Sequence, residues 1–281
     1  MKNRSDEKKG LTKSVLQDPD ALEKRRKRFL KDQDQIRRTK NAEFGLISRG
    51  EDLRLQQSQS ARKDLFAKIQ SNIKSKAKPD LVLMDFRKLR ESLLSQPHTE
   101  FAKDVFVSSI RYSASKGHHQ SYVPSILHLI EAEKKHQFMS SSQREQVLLI
   151  LALHKSHHNG EFEPVFELLL QNFDISPNFE NPASCDAEAA FFATYALMTK
   201  DFYLWTRQYN SLSENSCYKS VMGLRLKAFR QTEIDTLHRS YFTLNKRVLL
   251  ELVNTSWEEL CKDHNIPWTL ENDTVTIRRR K

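Results

Sequence analysis

From Leu81 onward apolar residues recur at helical spacing. Leu81, Met84, Phe86, Leu89 and Leu93 form one such stripe, and Phe101, Val105, Phe106 and Ile110 a second. Ile126, Leu127, Leu129 and Ile130, then Val147–Leu153, then Phe162, Val165, Phe166, Leu169 and Leu170 continue the series. Steps of three and four along the chain set side chains on one face of a helix. The separators are polar: SASKGHHQS, HKSHHNGE and DISPNFENPAS. Gly160 and Pro164 mark a turn followed by a helix start. This pattern predicts a row of antiparallel helices of about 10–18 residues joined by short loops, stacked as hairpins into an α-solenoid. No tetratricopeptide or ankyrin consensus is present.

A further helical pair is predicted at Ala187–Met198 and Phe202–Tyr209, and a longer helical stretch at Tyr218–Phe229 and Glu233–Tyr241. After residue 243 the pattern changes. Leu244–Val253 reads as a helix. Ser256 and Glu259 have capping-box spacing at the head of a short helix, Trp257–His264. Pro267–Leu270 and Thr274–Ile277 then alternate like two strands around a turn at Glu271–Asp273. Helix, helix, helix, β-hairpin is the order of a winged helix. The fold class expected is therefore mainly all-α: a solenoid over 80–220 and a C-terminal winged helix over 221–281 with a small β-hairpin.

Residues 1–79 read as a basic arm. Residues 1–20 lack periodicity and are expected to be disordered. A short helix is expected over 21–38, capped by Asp18 or Asp20, with Leu22, Phe29, Ile36 and Phe44 as sparse apolar anchors. Residues 45–79, rich in Gln, Ser, Lys and Arg, read as a linker or weak helix ended by Pro79.

Charge sharpens this division. The 281 residues carry a net charge of +10. Residues 1–80 hold 22 of the 46 Lys and Arg but only 12 of the 36 Asp and Glu, so the body that follows is neutral. A basic arm before a neutral body points to an anionic partner for the arm and protein partners for the body. Lys24, Arg25, Arg26, Lys27 and Arg28 form an unbroken basic run, suited to nuclear import or to phosphate contact. Arg278, Arg279, Arg280 and Lys281 follow the proposed wing and are further candidate phosphate contacts. Glu258 and Glu259 open Trp257–His264, where they would repel phosphate, so that helix is not expected to read a DNA groove.

Six glycines and eight prolines are too few for a large β-sandwich or a Gly-rich phosphate loop. The cysteines Cys185, Cys217 and Cys261 are odd in number and widely spaced, which suits a reducing compartment. MKNRSDEKKG lacks the apolar segment of a secretory signal, and Val147–Leu153 is far short of a membrane span. A soluble nuclear or cytoplasmic protein without a membrane is expected.

Nothing nucleates catalysis. There is no Cys-x-x-Cys and no G-x-S-x-G. His118 and His119, with His154, His157 and His158, are the most metal-like group, and His154 and His158 share a helix face. They are expected to form an exposed polar helix end. Phe191, Phe192, Tyr195, Phe202, Tyr203, Trp205 and Tyr209 are expected to pack between helices rather than stack on bases. Trp257, Trp268 and Ile277 are expected in the winged-helix core. No metal, no cofactor and no enzymatic activity are expected.

The layout resembles that of PCI domains, found in the proteasome lid, the signalosome and translation initiation factor three. It is most similar to the SAC/GANP family of germinal-centre-associated nuclear protein relatives. Leu22-Glu23-Lys24-Arg25-Arg26-Lys27-Arg28-Phe29 resembles that family's Leu-x-Lys-Arg-x-x-Arg-Phe segment. Asp201–Tyr209 resembles its small–aromatic–x–x–aromatic–x–Arg–x–Tyr helix. Arg225–Phe229 through Tyr241, Leu249–Val253, Trp257–Leu260 and the closing hairpin are similar to its winged-helix end. The resemblance implies a non-catalytic scaffold in nuclear mRNA biogenesis. It implies pairing through the winged helix with a second PCI-domain protein, bracing by a small acidic Sem/DSS-type protein, and contact with RNA or DNA through basic surfaces. The alternative it implies is a structural subunit of a lid, signalosome or initiation-factor complex without nucleic-acid contact.

Overall fold

In the computed structural model the described residues are 44–46, 52–176 and 185–279. The described residues are mostly helical and include a small three-stranded antiparallel sheet. The chain divides into two units, Met1–Asp64 and Leu65–Lys281.

The described part of the first unit is organised around Asp52. Its carboxylate accepts from the Gly45 amide at 3.0 Å and from Arg54 Nη2 at 2.7 Å. These donors, the Arg54 side chain foremost, hold the Asp52 carboxyl well below the usual carboxylate range. The Arg54 guanidinium also lies 4.9 Å over the Phe44 ring. Helix α1 (Arg54–Gln57) ends where Arg62 Nη1 reaches back to the carbonyls of Leu55 and Gln56, at 2.8 and 2.9 Å.

Helix α2 (Gln59–Lys74) occupies much of the stretch expected to be a linker or weak helix. Leu65 and Ile69, four residues apart, are both buried. Gln59, Ser60, Lys63, Lys68 and Ser71 around them are exposed and form its polar faces, which is why composition hid a well-formed helix.

In the second unit the helices follow the apolar stripes. They are α3 (Pro79–Leu93), α4 (Glu100–Ser115), α5 (His119–His136), α6 (Ser141–His154), α7 (Glu163–Asn172), α8 (Asp186–Thr199) and α9 (Phe202–Ser211). Their starts are chemically marked. Thr99 Oγ1 accepts the Ala102 amide at 3.2 Å, and Asp201 Oδ1 the Leu204 amide at 2.8 Å. Ser140 and Gln143 form a full capping box on α6. Pro79 and Pro164 sit in first turns, where their missing N–H costs nothing. Successive helices pack as pairs, α3 on α4, α4 on α5, α6 on α7 and α8 on α9.

The stretches 218–229 and 233–241 are a single 24-residue helix, α10 (Cys217–Ser240), capped by Ser216. It comes back against α4 and α6, contacts a simple row of hairpins does not make. Its early residues Val221 and Met222 are buried with the helical body, while Ile234 and Leu237 enter a second core.

That second core belongs to the chain end. Strand β1 (Thr243–Asn245) leads into α11 (Lys246–Val253) and α12 (Trp257–His264), then β2 (Thr269–Glu271) and β3 (Thr274–Thr276). The sheet order is β1-β3-β2, and Val275 of the central strand sits opposite both Leu244 and Leu270. Leu244 therefore lies in a third strand, not at the helix start expected for it. Asn245 decides the boundary: its side-chain oxygen accepts the Arg247 amide at 2.9 Å, so the helix begins at Lys246. The hairpin turn is tighter than expected, with Glu271 in β2 and Asn272 at φ 53°. Leu249, Val253, Leu260, Trp268, Val275 and Ile277 close the core with Ile234 and Leu237, and Trp257 packs at its margin. Arg230 fastens this assembly to α10. Its Nε and Nη2 donate to the carbonyls of Val253 and Asn254 at 2.9 and 2.8 Å, satisfying the end of α11.

Candidate nucleic-acid interface

Of the nine basic residues singled out from the sequence, Arg278 and Arg279 are described. Lys24, Arg25, Arg26, Lys27 and Arg28, and also Arg280 and Lys281, lie outside the described residues. Arg278 follows the buried Ile277 as the chain leaves β3, and both arginines are exposed. The Ile277 and Arg278 amides donate to the Phe242 carbonyl at 2.8 and 3.2 Å. This holds the departing chain beside the residue just before β1. The Arg278 guanidinium in turn stacks 4.3 Å over the Phe242 ring.

Phe242 is 38% exposed and its neighbour Tyr241 43%. The Phe242 ring and the Arg278 guanidinium thus sit together beside β1, and Tyr241 and Arg279, their neighbours in the chain, are exposed. Cations there attract phosphate, and exposed rings offer faces on which bases stack. The sequence does not reveal the aromatic part of this edge, since Tyr241 there reads as the end of a helix. The signal available was an aromatic pair directly ahead of an alternating Thr-Leu-Asn.

The flank beside α11 carries both signs. A cavity of 680 Å³ there is lined by Lys246, Arg247, Glu251 and Asp273 among others. Arg247 is engaged by Glu251 one turn on, at 3.1 Å. At the head of α12, Glu258 and Glu259 are exposed. Ser256 Oγ accepts the Glu259 amide at 3.2 Å, while the Glu259 carboxylate accepts from the Thr255 hydroxyl at 2.9 Å. The Thr255 hydroxyl and the Ser256 amide keep Glu259 ionised to lower pH than usual. With Glu258 and Glu259 both exposed, α12 presents negative charge at its start.

The histidine group differs from expectation. His154 and His157 are buried, and only His158 of the three is exposed. The cause is a π-helical turn, Lys155–Asn159, that follows α6 and swings His157 inward. Trp205 Nε1 donates to His157 Nε2 at 3.0 Å. Indole nitrogen only donates, so Nε2 is the acceptor and Nδ1 carries the proton. Nδ1 lies 3.0 Å from the Leu153 carbonyl and 2.8 Å from Ser156 Oγ. Burial pushes the His157 pKa down to about 3. His154 Nδ1 is hydrogen-bonded with the Tyr122 hydroxyl at 3.0 Å, and burial, with His158 and His119 nearby, pushes its pKa down to about 4. The rings of His119 and His158 stand 4.3 Å apart and those of His154 and His158 4.9 Å. Among the described residues no group of His, Cys, Asp or Glu is arranged to hold a metal ion.

Of the aromatic group, Phe192, Phe202 and Trp205 are buried and Tyr203 is 71% exposed. The ring of Trp205 stacks on Tyr209 at 5.0 Å and meets Phe229 edge-on at 5.7 Å. Cys185, Cys217 and Cys261 are free thiols. Among the described residues no helix is long and apolar enough to cross a membrane.

No protein-family model matches this sequence, and no curated protein matches it.

Proposed function

We propose that this protein is a non-catalytic scaffold of the SAC/GANP PCI type that pairs with a second PCI-domain protein and contacts nucleic acid through its basic segments. In this reading the body is a helical solenoid, and β1, α11, α12, β2 and β3 form a winged helix with β2–β3 as its wing. The sheet order β1-β3-β2 and the shared core of Leu249, Leu260 and Val275 support it. The observation that carries the nucleic-acid part is the stacking of Arg278 on the exposed Phe242 at 4.3 Å, with the exposed Arg279 next in the chain. Lys24–Arg28 and Arg280–Lys281 extend the same basic character, and a small acidic Sem/DSS-type protein is the second expected partner. The place of action is the nucleus, with mRNA processing and export as the process.

A second reading, a structural subunit without nucleic-acid contact, is favoured by one observation. The α11 flank mixes Glu251 and Asp273 with Lys246 and Arg247. Affinity purification of the full chain, with mass spectrometry of proteins and sequencing of retained RNA, separates the two. A second PCI-domain protein with salt-labile RNA supports the scaffold reading. Lid, signalosome or initiation-factor subunits without RNA support the other, and recovery of neither set of partners contradicts both.

A further inference from the structure

Three imidazole rings stand together where the start of α5 meets the π-turn. The ring centres of His119 and His158 are 4.3 Å apart, those of His154 and His158 4.9 Å, and those of His119 and His154 6.0 Å. The planes are within 33° of one another, so the rings are stacked. His154 is the buried inner member, hydrogen-bonded with the hydroxyl of the buried Tyr122 at 3.0 Å. His158 is exposed and His119 half-buried, so protons from solvent reach the outer rings.

A stack of this kind tolerates little positive charge. Two imidazolium ions at these separations repel, and the inner one is poorly solvated. Glu161, the carboxylate whose charge reaches His154, is already taken by Lys155 at 3.0 Å and by Asn159 at 2.7 Å. From α5 the stack is faced by His118 and Tyr122, and from the turn by Lys155. Arg225 of α10 lies toward His157. Helix α8 also packs on the turn, but its carboxylates, Asp186 and Glu188, lie in its first turn, and Asp186 lines a cavity with Ser142 and Glu145 at the start of α6. Tyr195 is the titratable group in its later half. Helix α9 meets the turn through Trp205. The charges around the stack are thus positive or already paired. Burial, with His158 and His118 beside it, holds His119 below its ordinary range, as burial does His154.

The two segments that the stack joins are weakly held on their own. A π-turn is a rare winding, kept only where its surroundings fix it. His118, the N-cap of α5, makes no side-chain cap bond, and Pro124 has no N–H for the Gln120 carbonyl.

We propose that the stack of His119, His154 and His158 is a proton-sensitive latch between the start of α5 and the π-turn, closed when its rings are neutral and released, uncovering Trp205, when more than one is protonated. The latch lies within the helical body and is independent of the nucleic-acid reading. Closed, His119 and His154 resist protonation; released, they titrate near the ordinary 6.5. The latch is therefore fully effective above pH 6.5 and weakens as pH falls below it. Each imidazole kept neutral only in the closed form raises the opening constant by up to about tenfold per pH unit.

Hydrogen exchange of the full chain at about pH 7.5 and about pH 5.5, corrected for intrinsic exchange rates, tests this. Opening of residues 155–159 and of the first turn of α5 should rise about tenfold or more, while α4 and β3 keep their protection. The rise should be smaller in His119→Gln and in His154→Gln, and in the double variant only the share of His157 should remain. Imidazole proton shifts of the parent chain give a reading that needs no variant: His119 and His154 should titrate below 6.5. Opening that does not change with pH, or that spreads equally over all helices, overturns the proposal. So does a rise that neither substitution reduces, or ordinary titration of both rings in the folded parent chain.

Discussion

Trp205 Nε1 and His157 Nε2 meet at 3.0 Å across 48 residues of chain, joining the π-turn after α6 to the middle of α9. Both residues are fully buried or nearly so. The bond fixes His157 as neutral, with its remaining proton turned toward Leu153 and Ser156. Trp205→Phe removes the donor and leaves a buried acceptor unsatisfied. A loss of about 1–3 kcal/mol is expected, read as a lower urea midpoint with unchanged slope. A midpoint equal to that of the parent protein would show that the bond contributes nothing.

Acid should weaken the folded state before carboxylates titrate. His154 and His157 fall from an ordinary 6.5 to about 4 and about 3, both chiefly through burial. Below pH 6.5 the unfolded chain takes up protons that the folded chain refuses, so stability falls as pH falls from 6.5 toward these values. Each group contributes a slope of at most about 1.4 kcal/mol per pH unit. Urea midpoints measured between pH 7.5 and pH 5 should decline. In His157→Gln, which no longer titrates, the decline should be shallower. A parent protein with a flat profile over this window would contradict the buried, neutral assignment.

Arg230→Met should loosen the chain end selectively. The substitution keeps the apolar stem but removes the donors to the Val253 and Asn254 carbonyls. About 1.5–3 kcal/mol is expected for bonds to a charged group. Hydrogen exchange should speed up in α11 and α12 while α4 and α6 keep their protection. Uniform acceleration across all helices would instead place Arg230 in the common core.

Much of this architecture was legible in the chain. The stripes at Leu81–Leu93 and Phe101–Ile110 mark α3 and α4, but the face of α3 that is buried runs through Val82, Phe86, Leu89 and Leu93 and leaves Leu81 and Met84 exposed. Leu244 was misread for an instructive reason. It stands four, five and eight residues before Val248, Leu249 and Leu252, a helical register, yet Asn245 caps the helix after it. One side-chain oxygen outweighed the periodicity. His157 was unreadable locally, since its partner Trp205 comes from another helix and its polar neighbours look like a surface loop. Phe242 is not legible in the sequence because its meaning depends on Arg278, which only the return of β3 beside β1 brings near.

Phe242→Ala separates stacking from charge. If bases stack on the exposed ring, nucleic-acid affinity should drop by about 1–3 kcal/mol while its salt dependence stays the same. Loss of affinity together with a shallower salt slope would mean that the ring serves only to hold Arg278.

The most direct test of the scaffold's nucleic-acid role is the salt dependence of single-stranded RNA binding, followed by fluorescence anisotropy between about 50 and 200 mM salt. For the full chain, affinity should fall steeply and log-linearly with salt. In Arg278→Ala/Arg279→Ala the slope should shrink by about 0.7 for each phosphate contact removed, with weaker binding throughout. An unchanged slope and affinity in that double variant would contradict the assignment of this edge as a nucleic-acid interface.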